Sequence, residues 1–232
     1  MNSPIECRDL SRRFGRRWAF ARVDLTVEEG ERLLVVGSNG SGKTTLLRTL
    51  ATAINPSGGE LRLFGLDAAK ERSAVRRRLA LLSDRAGLYE DLSAADNLQV
   101  LARFTGVDPT HDVRSMLERV GLDNRPEPIR TFSSGMRKRL FLAALILQQP
   151  ELVLLDEPFS ALDAAGLEQV SSLIRELKGT VVIASHQLAM AAPLCDRALL
   201  MEHGLPRWTG PIQQMDAAWQ ALQATMQREV AT

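Results

Sequence analysis

The chain has 232 residues, which is enough for one large domain or for one domain with an inserted subdomain. Hydrophobic residues make up 45% of it and charged residues 25%, values typical of a globular protein with an apolar core. The formal net charge of +1 gives no electrostatic basis for nucleic-acid binding. Short basic clusters such as Arg76 to Arg78 are interpreted as solvated surface, and no nucleic-acid partner is expected.

The cysteines and the apolar segments indicate in which cellular compartment the protein works. Cys7 and Cys195 are far apart and lack metal-ligand spacing, which favours a reducing environment without disulfides. Glu6, Arg8 and Asp9 stand where a signal peptide needs an apolar run. No stretch reaches the ~18 apolar residues that span a bilayer. We therefore expect a cytoplasmic protein, peripheral to the membrane if it serves a membrane process.

Short apolar runs alternate with helical stretches along much of the chain. Continuous apolar strands are typical of a parallel sheet that helices cover on both faces. The runs lie at residues 33–36, 79–82, 152–155 and 181–184. By contrast, Ala19 to Val27 alternates apolar and polar residues, as a half-exposed antiparallel strand does. The pattern predicts an α/β fold with a mainly parallel sheet and an antiparallel β subdomain.

Between residues 84 and 149 the pattern changes to successive helices without an evident strand. Ser93 to Asp96 has the spacing of a helix capping box. We interpret residues 84–149 as a helical subdomain inserted into a single domain that covers residues 1–232. Near the end of the chain, apolar residues recur at helical spacing and predict a helix face that packs on the protein's own core. They are Ile212, Met215, Trp219, Leu222 and Met226.

A glycine-rich segment between a predicted strand and a predicted helix fits the complete phosphate-binding loop pattern, Walker A. Its glycines let backbone N–H groups turn inward and form an anion site at a helix N-terminus. Lys43 is suited to the β- and γ-phosphates, and the Thr44 hydroxyl to Mg²⁺. The predicted nucleotide-binding residues are Gly37, Ser38, Asn39, Gly40, Ser41, Gly42, Lys43, Thr44 and Thr45.

Two carboxylates follow the apolar run at residues 152–155. Asp156 is predicted to hold Mg²⁺, and Glu157 to polarise the water that attacks the γ-phosphate. Together with the phosphate loop and its Lys43, this predicts an ATPase or a GTPase.

The residues between these motifs resemble the ABC ATPase family. Phe132-Ser133-Ser134-Gly135-Met136 is similar to the family signature Leu-Ser-Gly-Gly-Gln, with the serine and the second glycine matched and the other three positions substituted. Residues 160–163, Ser-Ala-Leu-Asp, are similar to the family's D-loop. In order and spacing the resemblance covers nearly the whole chain.

The resemblance assigns three further residues. His186, after a predicted core strand, takes the position of the switch histidine and is expected to donate to the γ-phosphate. Phe14 takes the position of the aromatic residue that stacks on adenine. Asp84 stands where the family has a glutamine that senses Mg²⁺, so its contact with the metal can be direct, through water, or absent.

The resemblance implies that two copies, identical or not, bind head to tail around two ATP molecules with Mg²⁺. The phosphate loop of one copy then faces Ser133, Ser134 and Gly135 of the other. Transmembrane permease subunits are the implied partners, reached on a groove beside residues 85–93, where Leu88, Tyr89 and Leu92 are apolar. The signature version is similar to exporters, and the short length also to the haem-exporter ATPases of cytochrome c maturation, while drug, lipid or polysaccharide export stays open.

Two other functions stay open at this point. One is a non-transport ABC ATPase, such as a scaffold for iron–sulfur cluster assembly. The other is a small-molecule kinase on a P-loop fold, against which the signature and His186 argue, because a monomeric kinase needs no composite site. Neither the cargo nor the direction of transport follows from the sequence.

Overall fold

The computed structural model describes residues 3–83, 87–105, 109–123 and 125–230. The strands are β1 Ile5–Phe14, β2 Arg17–Val27, β3 Arg32–Val36, β4 Gly58–Leu63, β5 Leu66–Asp67, β6 Leu79–Leu82, β7 Leu152–Asp156, β8 Thr180–Ala184, β9 Arg197–Glu202 and β10 Leu205–Pro211. The helices are α1 Lys43–Leu50, α2 Arg72–Arg76, α3 Ala94–Thr105, α4 Pro109–Arg119, α5 Ser134–Gln148, α6 Ala164–Glu176, α7 Leu188–Ala191 and α8 Met215–Val230.

A six-stranded sheet forms the centre of the fold, in the order β10-β9-β3-β8-β7-β6. All neighbours in it are parallel except β10, which runs antiparallel to β9. Every residue of β7 and β8 is buried, as a strand covered on both faces requires. The four apolar runs are therefore confirmed as parallel strands, and the α/β prediction is confirmed.

The N-terminal part forms a separate four-stranded antiparallel sheet in the order β2-β1-β4-β5. Strand β2 alternates buried and exposed residues from Val23 onwards, because one face covers an apolar core and the other faces solvent. The predicted antiparallel strand is confirmed, and it begins at Arg17, two residues earlier than expected.

Helices α3, α4 and α5 follow one another between β6 and β7. The capping box at the start of α3 is confirmed, because the Ser93 hydroxyl accepts from the Asp96 N–H at 3.1 Å. Leu98 and Leu140 from these helices are buried in one apolar cluster with Leu155 of the central sheet. The boundary that we placed at residue 84 lies outside the described residues.

The end of the chain packs as its apolar spacing predicts. Met215 is buried in the larger apolar cluster, and Ile212 and Trp219 pack against that cluster. Both cysteines are buried and free. Among the described residues, no helix is sufficiently long and apolar to cross a membrane.

One buried amide organises the loop before α3. Asn97 is fully buried, and its Nδ2 donates to the carbonyls of Tyr89 at 3.0 Å, Leu92 at 3.3 Å and Ser93 at 2.9 Å. Its Oδ1 accepts from the Tyr89 N–H at 2.8 Å. The Asn97 side chain thus supports the loop at residues 89–93, beside the backbone hydrogen bonds that Ile129 and Arg130 donate to Leu92 and Glu90.

We predict that Asn97→Ala lowers the free energy of unfolding by about 1–3 kcal/mol, because it removes four hydrogen bonds of a buried amide and leaves the Tyr89 N–H without its acceptor. Urea unfolding of the variant beside Gln99→Ala, an exposed change on the same helix, measures the difference. Equal midpoints for the two variants would contradict the structural role of Asn97.

Candidate active site

The phosphate loop connects β3 to α1 and closely approaches two other backbone segments. A Cβ atom on Gly37 would lie 2.1 Å from the Met201 carbonyl oxygen, and one on Gly42 would lie 2.4 Å from the Ala19 carbonyl oxygen. Gly42, at the start of α1, also has a φ of +100°. Glycine is therefore required at both positions, by space and, at Gly42, by backbone conformation.

Lys43 folds back over this loop. Its buried ammonium donates to the carbonyl oxygens of Gly37 at 2.8 Å and Ser38 at 3.0 Å. Burial lowers the pKa of Lys43, while the carboxylates of Glu157, Asp156 and Glu202 oppose that shift, in decreasing order. The loop thus holds a cation whose desolvation a bound anion would offset.

Thr44 and Asp156 meet where α1 faces the end of β7. The Thr44 hydroxyl donates to Asp156 Oδ1 at 2.9 Å. A hydroxyl and a carboxylate are hard oxygen donors of the kind that Mg²⁺ prefers. The described residues contain no cluster of three or more His, Cys, Asp or Glu side chains, so water and phosphate oxygens would have to complete the shell of an ion held here.

Glu157 follows β7 in a strained backbone conformation and contacts the end of β8. Its φ is 49°, and its N–H donates to the Ala184 carbonyl at 2.8 Å. Glu157 Oε2 lies 2.8 Å from Nδ1 of His186 and 3.4 Å from the Ser185 hydroxyl. The structure therefore brings the predicted base and the predicted switch histidine together, with the histidine in contact with the carboxylate.

A cavity of about 430 Å³ lies over the phosphate loop. It is lined by Phe14, Arg17, Trp18, Ala19, Asn39, Gly40, Gly42, Lys43, Thr44, Thr45 and Glu157. Phe14 and Trp18 are each 51% exposed, as befits aromatic rings available to a ligand. The predicted aromatic residue thus lies in the same cavity as the phosphate loop.

The signature residues line a different cavity. Ser133 caps α5, where its hydroxyl accepts from the Met136 N–H at 3.2 Å. Ser133 and Gly135 line a cavity of about 450 Å³ together with Leu162 and Asp163. Phe132 is buried, consistent with an apolar residue in place of leucine. The structure therefore does not join the signature to the phosphate loop within one chain.

Sequence reasoning missed two residues of this region. Trp18 shares the cavity with Phe14, and a second aromatic residue on the same β-hairpin was the available signal. Glu202 is buried and accepts from the Ser38 hydroxyl at 2.9 Å. It ends the apolar strand β9 in the way that Asp156 ends β7. Asp84 lies outside the described residues.

The chain is similar to known proteins over most of its length. A family model described as "ABC transporter" matches residues 20–160. The bacitracin transport ATP-binding protein BcrA of Bacillus licheniformis is 32% identical over 209 residues, 88% of this chain and 68% of that protein. The daunorubicin/doxorubicin resistance ATP-binding protein DrrA of Streptomyces peucetius is 35% identical over 207 residues, 86% of this chain and 63% of that protein.

A solved structure supports the fold. It is a dimeric ATP-binding cassette in a post-hydrolysis state with ADP and Pi, with a TM-score of 0.80 and 21% identity. The alignment covers 90% of this chain and 98% of that one. The likeness confirms the α/β fold with its antiparallel sheet. With the family match over residues 20–160, the phosphate loop and the signature, the chain belongs to the ABC transporter family as an ATP-binding domain, an ABC ATPase.

Proposed function

We propose that this chain hydrolyses ATP to power an ABC exporter and that it acts as a head-to-tail dimer beneath transmembrane permease subunits. The observation that carries the proposal is the division of the site within one chain. Lys43, Thr44 and Glu157 line one cavity, whereas Ser133 and Gly135 line another. A second copy, placed head to tail, would supply the missing half of each site.

On the nucleotide side, each group has a role that its surroundings support. Phe14, with Trp18, offers exposed aromatic surface on which adenine can stack. The backbone N–H groups at the start of α1 and the ammonium of Lys43 would bind the phosphates. The negative charge of the phosphates would offset the desolvation that lowers the pKa of Lys43. Residues 37–45 form the cradle, as the loop pattern predicts.

Mg²⁺ fits the donor set of Thr44 and Asp156, and these two residues would hold it. When bound, the ion offsets the negative charge that develops on the phosphate oxygens. Asp84, the third predicted ligand, stays a prediction because it lies outside the described residues.

Glu157 is the proposed general base. A water molecule attacks the γ-phosphorus, its proton passes to the Glu157 carboxylate, and the bond from the γ-phosphorus to the bridging oxygen of ADP breaks. His186, 2.8 Å from Oε2, holds the carboxylate in one orientation. With Nδ1 directed at Glu157, donation to the γ-phosphate would come from Nε2 of the doubly protonated imidazole.

The direction of transport is proposed as export. The Ser-Ser-Gly-Met-Arg signature is similar to exporters, and relatives include a protein named for bacitracin transport and one named for drug resistance. The chain would then lie at the cytoplasmic face of the membrane, bound to the permease. The similarity to haem exporters and the choice between homodimer and heterodimer stay predictions.

The permease would dock beside the loop at residues 87–93. Exposed apolar side chains there would suit a partner helix, but of Leu88, Tyr89 and Leu92 only Tyr89 is exposed, at 48%, whereas Leu88 packs against the core. Leu88 also lines a cavity of about 630 Å³ with Leu82 and Ile129. Tyr89 at the rim of this groove is therefore the better candidate for a partner contact.

Glu157→Gln should lower the ATPase rate by roughly 100-fold or more, because general-base catalysis contributes at least that much. The amide keeps the shape of the side chain, so ATP binding should persist and trap the dimer. Sedimentation with saturating ATP and Mg²⁺ measures the trapped dimer. Glu168→Gln, the same change at an exposed position on α6, is the control. A Glu157→Gln protein that stays monomeric with bound ATP would contradict the proposed dimer.

Tyr89→Glu should weaken association with the membrane subunit by roughly tenfold or more, since buried tyrosines at interfaces commonly contribute that much. ATP binding should be unchanged, because Tyr89 is not among the residues of the nucleotide cavity. Pull-down of the co-expressed permease measures association. Ser172→Glu adds the same charge at an exposed site on α6 and serves as the control. Equal recovery with both variants would place the contact elsewhere.

A further inference from the structure

A buried lysine connects the signature helix to the segment that carries Glu157. Lys138 lies on α5, one helical turn after Ser134, and is 8% exposed. Its Nζ donates to the carbonyl oxygen of Glu157 at 3.0 Å. It also donates to the carbonyl oxygen of Ser160 at 2.6 Å and to its hydroxyl at 2.7 Å. A buried cation thus contacts both ends of the turn after β7.

That turn has a backbone that needs outside support. Glu157 and Ala161 have φ values of 49° and 57°, a left-handed conformation that is unfavourable for residues with a side chain. Such conformations persist only where the surroundings impose them. The Ser160 hydroxyl adds a hydrogen bond to the Glu157 carbonyl at 3.1 Å. Charge-assisted bonds from Lys138 are the strong contacts in this set.

The same helix and the same turn also touch through apolar atoms. A Cβ atom on Gly135 would lie 2.9 Å from Leu162 Cδ2, so α5 packs closely on the residue after Ala161. Asp163 then caps α6, accepting from the Gly166 N–H at 2.8 Å. Helix α5 therefore contacts this turn at Glu157, Ser160 and Leu162, and α6 begins directly after it.

We propose that Lys138 is a positioning residue: it fixes the backbone of residues 157–161 and thereby the orientation of the Glu157 carboxylate. The proposal rests on the function of Glu157 as the general base. Because Ser133 begins the helix that carries Lys138, a shift of the signature helix would move the catalytic carboxylate of the same chain. In a head-to-tail dimer, those two residues serve different ATP molecules, so Lys138 would couple the two sites.

Lys138→Met removes the ammonium while keeping an unbranched side chain. We expect kcat to fall by roughly 10- to 100-fold, the loss that charged hydrogen bonds of this kind entail, with KM for ATP within about twofold of wild type. Arg32→Met is the matched control. Arg32 donates to the carbonyls of Ile174, Arg175 and Leu177 at 3.1, 3.2 and 2.8 Å, away from Glu157, so its loss should leave kcat near the wild-type value.

Chemical rescue separates positioning from a general effect on folding. Lys138 lines the 630 Å³ cavity, so a cysteine in its place can be reached by 2-bromoethylamine, which replaces the missing ammonium through a thioether. Cys7 and Cys195 are buried, and burial raises the pKa of each thiol to about 12, so they react slowly. Wild-type protein treated in the same way controls for reaction at those two residues.

Recovery of kcat in alkylated Lys138→Cys, confirmed by mass to carry the new group, supports the positioning function. A wild-type kcat in Lys138→Met, or no recovery after complete alkylation, overturns it. Parallel losses of ATP binding and kcat in Lys138→Met would also overturn it, because they would indicate a damaged nucleotide site. If the wild-type protein itself does not hydrolyse ATP, the proposed ATPase function is wrong. That outcome is thereby distinguished from failure of the proposal for Lys138, which needs an active wild type.

Discussion

The site depends on the register of three parallel strands. Val35 of β3 and Asp156 of β7 both pair with Ala184 of β8, so the carboxyl ends of the three strands lie level at one edge of the sheet. That edge carries the phosphate loop after β3, Asp156 and Glu157 at the end of β7, and His186 after β8. A slip of one residue in any strand would move each of its side chains to the opposite face of the sheet. The hydrogen-bond ladder between buried strands thus sets the distances that catalysis requires.

Charge is the second constraint on the site. Lys43 lies among the carboxylates of Glu157, Asp156 and Glu202, which oppose the lowering of its pKa by burial. Phosphate oxygens would compete for the same ammonium, while a divalent ion between Thr44 and Asp156 would offset the added negative charge. Nucleotide and metal are therefore expected to stabilise the site together.

Much of this arrangement could be predicted from sequence, because continuous apolar strands and glycine-rich turns have local causes. The phosphate loop, both carboxylates and the antiparallel sheet followed from such patterns. Contacts between residues that are distant in the chain did not follow from such patterns. Glu202 reaches Ser38 only because β9 lies beside β3, and Lys138 reaches Glu157 only through the packing of α5. Whether Leu88 is exposed did not follow from the sequence either, since an apolar loop residue can face solvent or pack against the core, as Leu88 does.

Complementation between two inactive variants shows whether each ATP site is built from two chains. Lys43→Ala removes the phosphate-loop cation, and Ser133→Arg blocks the signature. A mixed dimer of the two keeps one intact site if the signature acts on the partner's ATP. We expect the mixture to regain ATPase activity, with a maximum near equal amounts of the two proteins. A mixture that stays as inactive as each variant alone, beside active wild type, would contradict it.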